Sequence, residues 1–171
     1  IKNTGTITVT ATGPGAAGIR VESSRFAENI LNTETGVITV AGAQSVGMDA
    51  IDVDGRRVEN LGEISVTGEQ SVGLQVSYAY LPSGVENHGE IRVEGESVVG
   101  IHVIDSHISR LLNDGAIGVD GTNAIGIDLD RGTTLSELDM DGTTTATGEG
   151  AVAVLIDGAN FLDGSNEGRQ V

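Results

Sequence analysis

The sequence predicts an all-β protein: a parallel β-helix, or solenoid, of about six coils, with 26–27 residues and three strands per coil. Three observations carry that reading. One eighteen-residue pattern returns along the chain at a nearly fixed period, the mark of a stacked repeat. Within each copy apolar residues alternate with polar ones, the period of a strand with one buried face. The chain also has 26 glycines but only two Phe, two Tyr and no Trp. Aliphatic side chains must therefore fill any core, and the β-branched ones suit a pleated surface.

Residues 59–76 read ENLGEISVTGEQSVGLQV and residues 86–103 read ENHGEIRVEGESVVGIHV, 27 positions apart. The shared template is N-x-G-x-I-x-V-x-G-(x)4-G-I-x-V. Its first glycine falls at Gly5, Gly36, Gly62, Gly89, Gly115 and Gly142, in steps of 31, 26, 27, 26 and 27. Its later glycine falls at Gly18, Gly47, Gly73, Gly100 and Gly126, with Ala153 in the sixth place. The first copy is longer, and the last is degraded, with Thr144 and Ala146 replacing Ile and Val. Atypical end copies are usual in stacked repeats. Coils are expected to start near residues 3, 34, 60, 87, 113 and 140, in one segment covering 1–171.

The first strand of each coil follows the first glycine, with Ile7 and Val9, Ile38 and Val40, Ile64 and Val66, Ile91 and Val93, and Ile117 and Val119 facing inward. The second strand follows the later glycine and carries Ile19, Met48, Leu74, Ile101, Ile127 and Val154 in its leading column. A third, shorter strand precedes the next copy, with Ile30, Val58, Val85, Leu111 and Leu138. Strands this short cannot bury a face alone. Stacked at about 4.8 Å they pair backbone to backbone, and six coils make a rod about 30 Å long. Asn3, Asn60, Asn87 and Asn113 stand two residues before their glycines and read as a corner ladder. The copies near Gly36 and Gly142 have Glu34 and Met140 there instead.

Charge narrows the partners. With 25 acidic and nine basic residues the net charge is −16, which repels nucleic-acid phosphates and anionic lipid. No nucleic-acid partner is expected, and no membrane insertion, because no apolar run approaches the roughly 20 residues a span requires. There is no cysteine, hence no disulfide framework. The opening IKNTG lies within a repeat and has no signal-peptide pattern, so the chain reads as a mature or excised part of something longer.

Apparent catalytic motifs dissolve into the repeat. GAQSVG (42–47) and GEQSVG (68–73) approach the Gly-x-Ser-x-Gly nucleophile elbow, but Ala43 and Glu69 stand where its first glycine belongs. Ser45 and Ser71 occupy the same turn of successive coils and read as turn serines. The acidic doublets Asp52 and Asp54, Asp128 and Asp130, and Asp139 and Asp141 read as solvated outer-face acids, since two carboxylates do not make a cation site. His88, His102 and His107 form no metal pattern and read as surface residues. Thr6, Thr8, Thr10 and Thr12 share an outward face, but Glu63, Glu90, Arg92 and Glu94 interrupt their columns. No regular threonine array is expected.

Length varies most between the second strand and the next corner, in SYAYLPSG, IDSHISR, DRGTTLSE and DGANFLDG. Variable segments of a solenoid collect on one side, and that side often carries recognition. The expected binding residues there are Tyr78, Tyr80, His107, Arg110 and Arg131. No catalytic residue, cofactor or metal ligand is assigned.

The coils NLGEISVTGEQSVGLQV, NHGEIRVEGESVVGIHV and NDGAIGVDGTNAIGIDL resemble the passenger regions of classical type V autotransporters of bacteria, over about residues 3–156. The resemblance implies a right-handed β-helix, exported across the outer membrane by a C-terminal β-barrel and held at the cell surface or released. The expected role is a non-enzymatic stem that displays side loops for adhesion to a host or neighbouring bacterial surface, protein or glycan, or for self-association. Two other readings use the same coils. A polysaccharide lyase or hydrolase on a β-helix would bring Arg56, Arg57, Arg110 or Arg131 to the Asp52–Asp54 or Asp128–Asp130 doublets beside an aromatic. A phage or pilus-type fibre segment would be trimeric.

Overall fold

A computed structural model describes residues 1–162; residues 163–171, which the expected single segment also includes and into which DGANFLDG runs, lie outside the described residues. The described residues are all-β, without a helix, and their strands stack in parallel as a solenoid of about six turns.

Three sheets run along the rod. The front sheet stacks the strands after the first glycine, Thr6–Thr10, Val37–Ala41, Glu63–Thr67, Glu90–Glu94, Ala116–Asp120 and Thr143–Thr147. The back sheet stacks Ala17–Arg25, Val46–Asp54, Val72–Ser77, Val99–Ile104, Ile125–Leu129 and Val152–Ile156. The corner sheet runs from Lys2–Asn3 to Glu137–Asp139.

The register is the one the repeat requires. Ile7, Ile38, Ile64, Ile91 and Ile117 are paired in one column, and Val9, Val40, Val66, Val93 and Val119 in the next. From Ile38 to Ile117 the isoleucines are at most 1% exposed. Burying such a side chain stabilises by about 1.5–3 kcal/mol, so each rung of the ladder adds to the cohesion of the stack. The corner column pairs Ile30, Val58, Val85, Leu111 and Leu138.

The later glycine of the template marks a close approach. A Cβ on Gly73 would collide with the Ile91 side chain of the next coil and lie 2.6 Å from the Gly100 carbonyl oxygen. Gly47 and Gly100 meet Ile64 and Ile117 in the same way. Only glycine lets the back strand lie this near the front ladder.

Two details differ from the sequence expectation. The asparagine ladder does not skip the second coil: Asn32, four residues before Gly36, fills the place between Asn3 and Asn60. Each of Asn3, Asn32, Asn60 and Asn87 donates Nδ2 to the Oδ1 of the next at 2.8 Å. The turn Thr33–Glu34–Thr35 is longer than its counterparts, which hid the equivalence. The second difference is a fourth short strand in the later coils, Tyr80–Leu81, His107–Ile108, Thr134–Leu135 and Asn160–Phe161. Its inward residues are Leu81, Ile108 and Leu135, each at most 1% exposed. They form an interior column that strand alternation alone did not reveal.

Candidate functional site

The fourth strand exists because the chain bends sharply before it. Ser23, Asp52, Tyr78 and Asp105 have φ of 47°, 50°, 54° and 43°, and Gly132 and Gly158 have 89° and 78°. These left-handed residues stand at equivalent places in successive coils, two before the mutually paired Arg25, Asp54, Tyr80, His107, Thr134 and Asn160. A left-handed residue turns the backbone between two extended stretches, and repetition of the bend coil after coil folds the surface into a groove along the rod.

The groove encloses about 660 Å³, and its walls are the two outward columns, Ser23 to Gly132 and Arg25 to Thr134. Val53, Ala79 and Ser106 form its floor. The Tyr80 and His107 rings stack with centroids 5.3 Å apart and planes 10° from parallel. Tyr78 and Tyr80 are 62% and 50% exposed, in walls whose other side chains are charged, hydroxyl or imidazole groups. Arg25 Nε lies 2.8 Å from Asp54 Oδ2, Ser23 donates to Asp52 at 3.1 Å, and His107 Nδ1 is 2.7 Å from Thr134 Oγ1. Flat aromatic faces beside carboxylates and hydroxyls can stack on an apolar face and hydrogen-bond its polar edges.

The structure thus brings Tyr78, Tyr80 and His107 together. Arg110 is elsewhere, on the corner sheet with Glu86, and Arg131 does not line the groove but lies against Gly158. Asp52 and Asp54 were expected in such a surface only on the polysaccharide-cleaving reading, and Arg25 on none. Their place could have been found by following the period back from Tyr80. Among the described residues no ion pair joins Arg56, Arg57, Arg110 or Arg131 to either acidic doublet; the arginine that meets a doublet beside an aromatic is Arg25.

Two charged clusters lie outside the groove. On the corner sheet Glu86, 2% exposed, receives Arg110 Nε at 3.0 Å and Nη2 at 2.5 Å on one oxygen, and Arg57 Nη1 with His88 Nε2 on the other. Gly84 makes this convergence feasible, because it precedes Val85 in register between Arg57 and Arg110 and adds no side chain there. Burial alone would raise the Glu86 pKa, but the hydrogen bonds from Arg110, Arg57 and His88 outweigh it and hold the carboxyl below its ordinary range.

On the back sheet His102 Nε2 is 3.0 Å from Asp130 Oδ2 and 3.7 Å from Asp128 Oδ2. Asp128 is not the solvated acid the sequence suggested: it is 7% exposed, and its Oδ1 has no hydrogen-bond partner. Burial pushes its carboxyl up; His102 opposes this, while Asp130 and Asp157 add to it. On the same face Asp49 is also raised, by burial, although Arg20 Nε donates to it at 2.8 Å.

The remaining motifs take structural places. Ser45 and Ser71 are fully buried in stacked turns, where Ser71 Oγ accepts from Ser45 N at 3.1 Å and donates to the Gly42 carbonyl. The threonine columns are interrupted as expected, since Thr6, Val37, Glu63, Glu90, Ala116 and Thr143 form one column. No helix among the described residues is long and apolar enough to cross a membrane. No family model, curated protein or solved structure matches this chain.

Proposed function

We propose that this chain is a stem segment of a surface-exposed bacterial passenger of the classical autotransporter kind, whose groove binds a ligand on a neighbouring cell or on another copy. One observation carries the reading. Neither tyrosine is spent on the core; both stand exposed in the groove, one stacked on His107. Exposed aromatics in a concave, polar-walled site are the usual anchors of recognition. The rest of the rod serves as a spacer, stiffened by continuous aliphatic ladders.

The test is adhesion and self-association of cells displaying the parent protein, compared with cells carrying Tyr78→Ala together with Tyr80→Ala. The proposal expects loss of attachment at equal surface amount; unchanged attachment and aggregation would refute it. A second reading is supported by the Arg25–Asp54 pair beside Tyr80: the groove could cleave a polysaccharide with its carboxylates. That reading expects shortened chains from acidic or neutral polysaccharides, abolished by Asp52→Asn with Asp54→Asn.

A further inference from the structure

We infer that His102, Asp128 and Asp130 form a binding site for a borderline divalent transition metal of the zinc class, separate from the groove and independent of the adhesive reading. Their three donor atoms lie within 4.8 Å of one another. Zinc holds imidazole nitrogen at about 2.0–2.1 Å and carboxylate oxygen at about 2.0–2.2 Å, which places tetrahedral ligands roughly 3.4 Å apart. The 3.0 Å and 3.7 Å separations of His102 Nε2 from Asp130 Oδ2 and Asp128 Oδ2 bracket that value. A metal at their centre would require only small side-chain adjustment.

The second observation is the state of Asp128. Its side chain is 10% exposed, it makes no hydrogen bond among the described residues, and its Oδ1 is buried without a partner there. Buried carboxylates are ordinarily paired or hydrogen-bonded. His102 supplies only a 3.7 Å approach to the other oxygen. Two carboxylates thus face the one imidazole, and that surplus of negative charge favours a cation.

The contrast with the corner sheet sharpens the case. Glu59, Glu86 and His88 are equally close, but there two guanidinium groups already occupy Glu86. At His102 no lysine or arginine forms an ion pair among the described residues. The donor set also chooses the metal. Imidazole suits zinc, copper, nickel and iron, whereas calcium takes six to eight oxygens and magnesium keeps most of its waters. A metal takes the lone pair of Nε2 in the tautomer whose single ring proton sits on Nδ1, so the neutral imidazole releases no net proton.

The experiment is calorimetric titration of zinc chloride into the full chain after chelator dialysis at neutral pH, repeated with cobalt and read by visible absorption. One equivalent should bind with micromolar affinity, and cobalt should give the intense visible bands of tetrahedral coordination. His102→Gln and Asp130→Asn should each weaken binding roughly tenfold or more, with unchanged circular dichroism, while His88→Gln should leave it intact. Absence of saturable uptake at millimolar zinc would overturn the proposal, as would uptake that is lost in His88→Gln or is unaffected by both His102→Gln and Asp130→Asn.

Discussion

Asn60 donates Nδ2 to Asn87 Oδ1 at 2.8 Å and accepts at 2.8 Å from Asn32, with all three side chains fully buried. Each asparagine thus uses its amide as both donor and acceptor along the rod axis, and Asn60 also caps the Gly62 carbonyl at 3.1 Å. Asn60→Ala strands a donor on Asn32 and an acceptor on Asn87 where water cannot replace them. The expected cost is about 1–3 kcal/mol, read as a lower urea midpoint. Asn3→Ala, at the half-exposed end of the ladder, should cost visibly less.

Glycines in this chain are not equivalent, and two of them give a paired test. Gly73→Ala drives a Cβ into Ile91 and the Gly100 carbonyl, both parts of packed ladders that cannot move apart locally. Gly118 faces outward on the front sheet with nothing within 4 Å of a Cβ placed there. Gly118→Ala should therefore be neutral or stabilise by about 0.4–1 kcal/mol through the unfolded chain. Overpacking at Gly73 should destabilise by about 1–3 kcal/mol. Equal urea midpoints for the two variants would contradict the close-approach account.

Glu86 should make stability depend on acid. Its carboxyl is held below its ordinary value of 4.5 by Arg110, Arg57 and His88. The folded state therefore binds that proton less readily than the unfolded chain, so the contribution is present above the ordinary value and is lost as pH falls through the lowered one. Asp49 has the opposite sign: burial raises it above 3.8, so its ionisation opposes folding at neutral pH, and acidification relieves the cost. Urea midpoints should show the gap between wild type and Glu86→Gln narrowing on acidification, whereas Asp49→Asn should lose its advantage over wild type.

The stacked ladders were legible because the inward residues recur at both the strand period and the coil period, as at Ile64, Ile91 and Ile117. Leu81, Ile108 and Leu135 keep only the coil period, since their strands are two residues long and have no alternation to read. Asn32 escaped because two extra residues separate it from its glycine. In the groove, Tyr78 and Tyr80 stood out by rarity, while Arg25 required a register that the longer first coil obscured. Arg110 was misplaced because Gly84 lets it turn to Glu86, an effect of a missing side chain one coil away. His102 and Asp128 are 26 positions apart, a distance at which no local motif exists until the coils are stacked.

Tyr78 couples the groove to backbone strain. It adopts φ 54° in a column where the last two described coils carry Gly132 and Gly158. A left-handed conformation costs a residue with a Cβ about 1–2 kcal/mol, against about 0.5–1 kcal/mol for the extra freedom glycine loses on folding. At 62% exposed, Tyr78 returns little of that through packing. Tyr78→Gly should therefore leave the urea midpoint unchanged or raise stability by up to about 1 kcal/mol. Tyr78→Ala keeps the strained backbone and should not gain. If the groove is the recognition surface, both variants should weaken attachment alike, so that stability and binding separate in the glycine variant. A marked loss of stability in Tyr78→Gly would instead show that the tyrosine holds the bend in place.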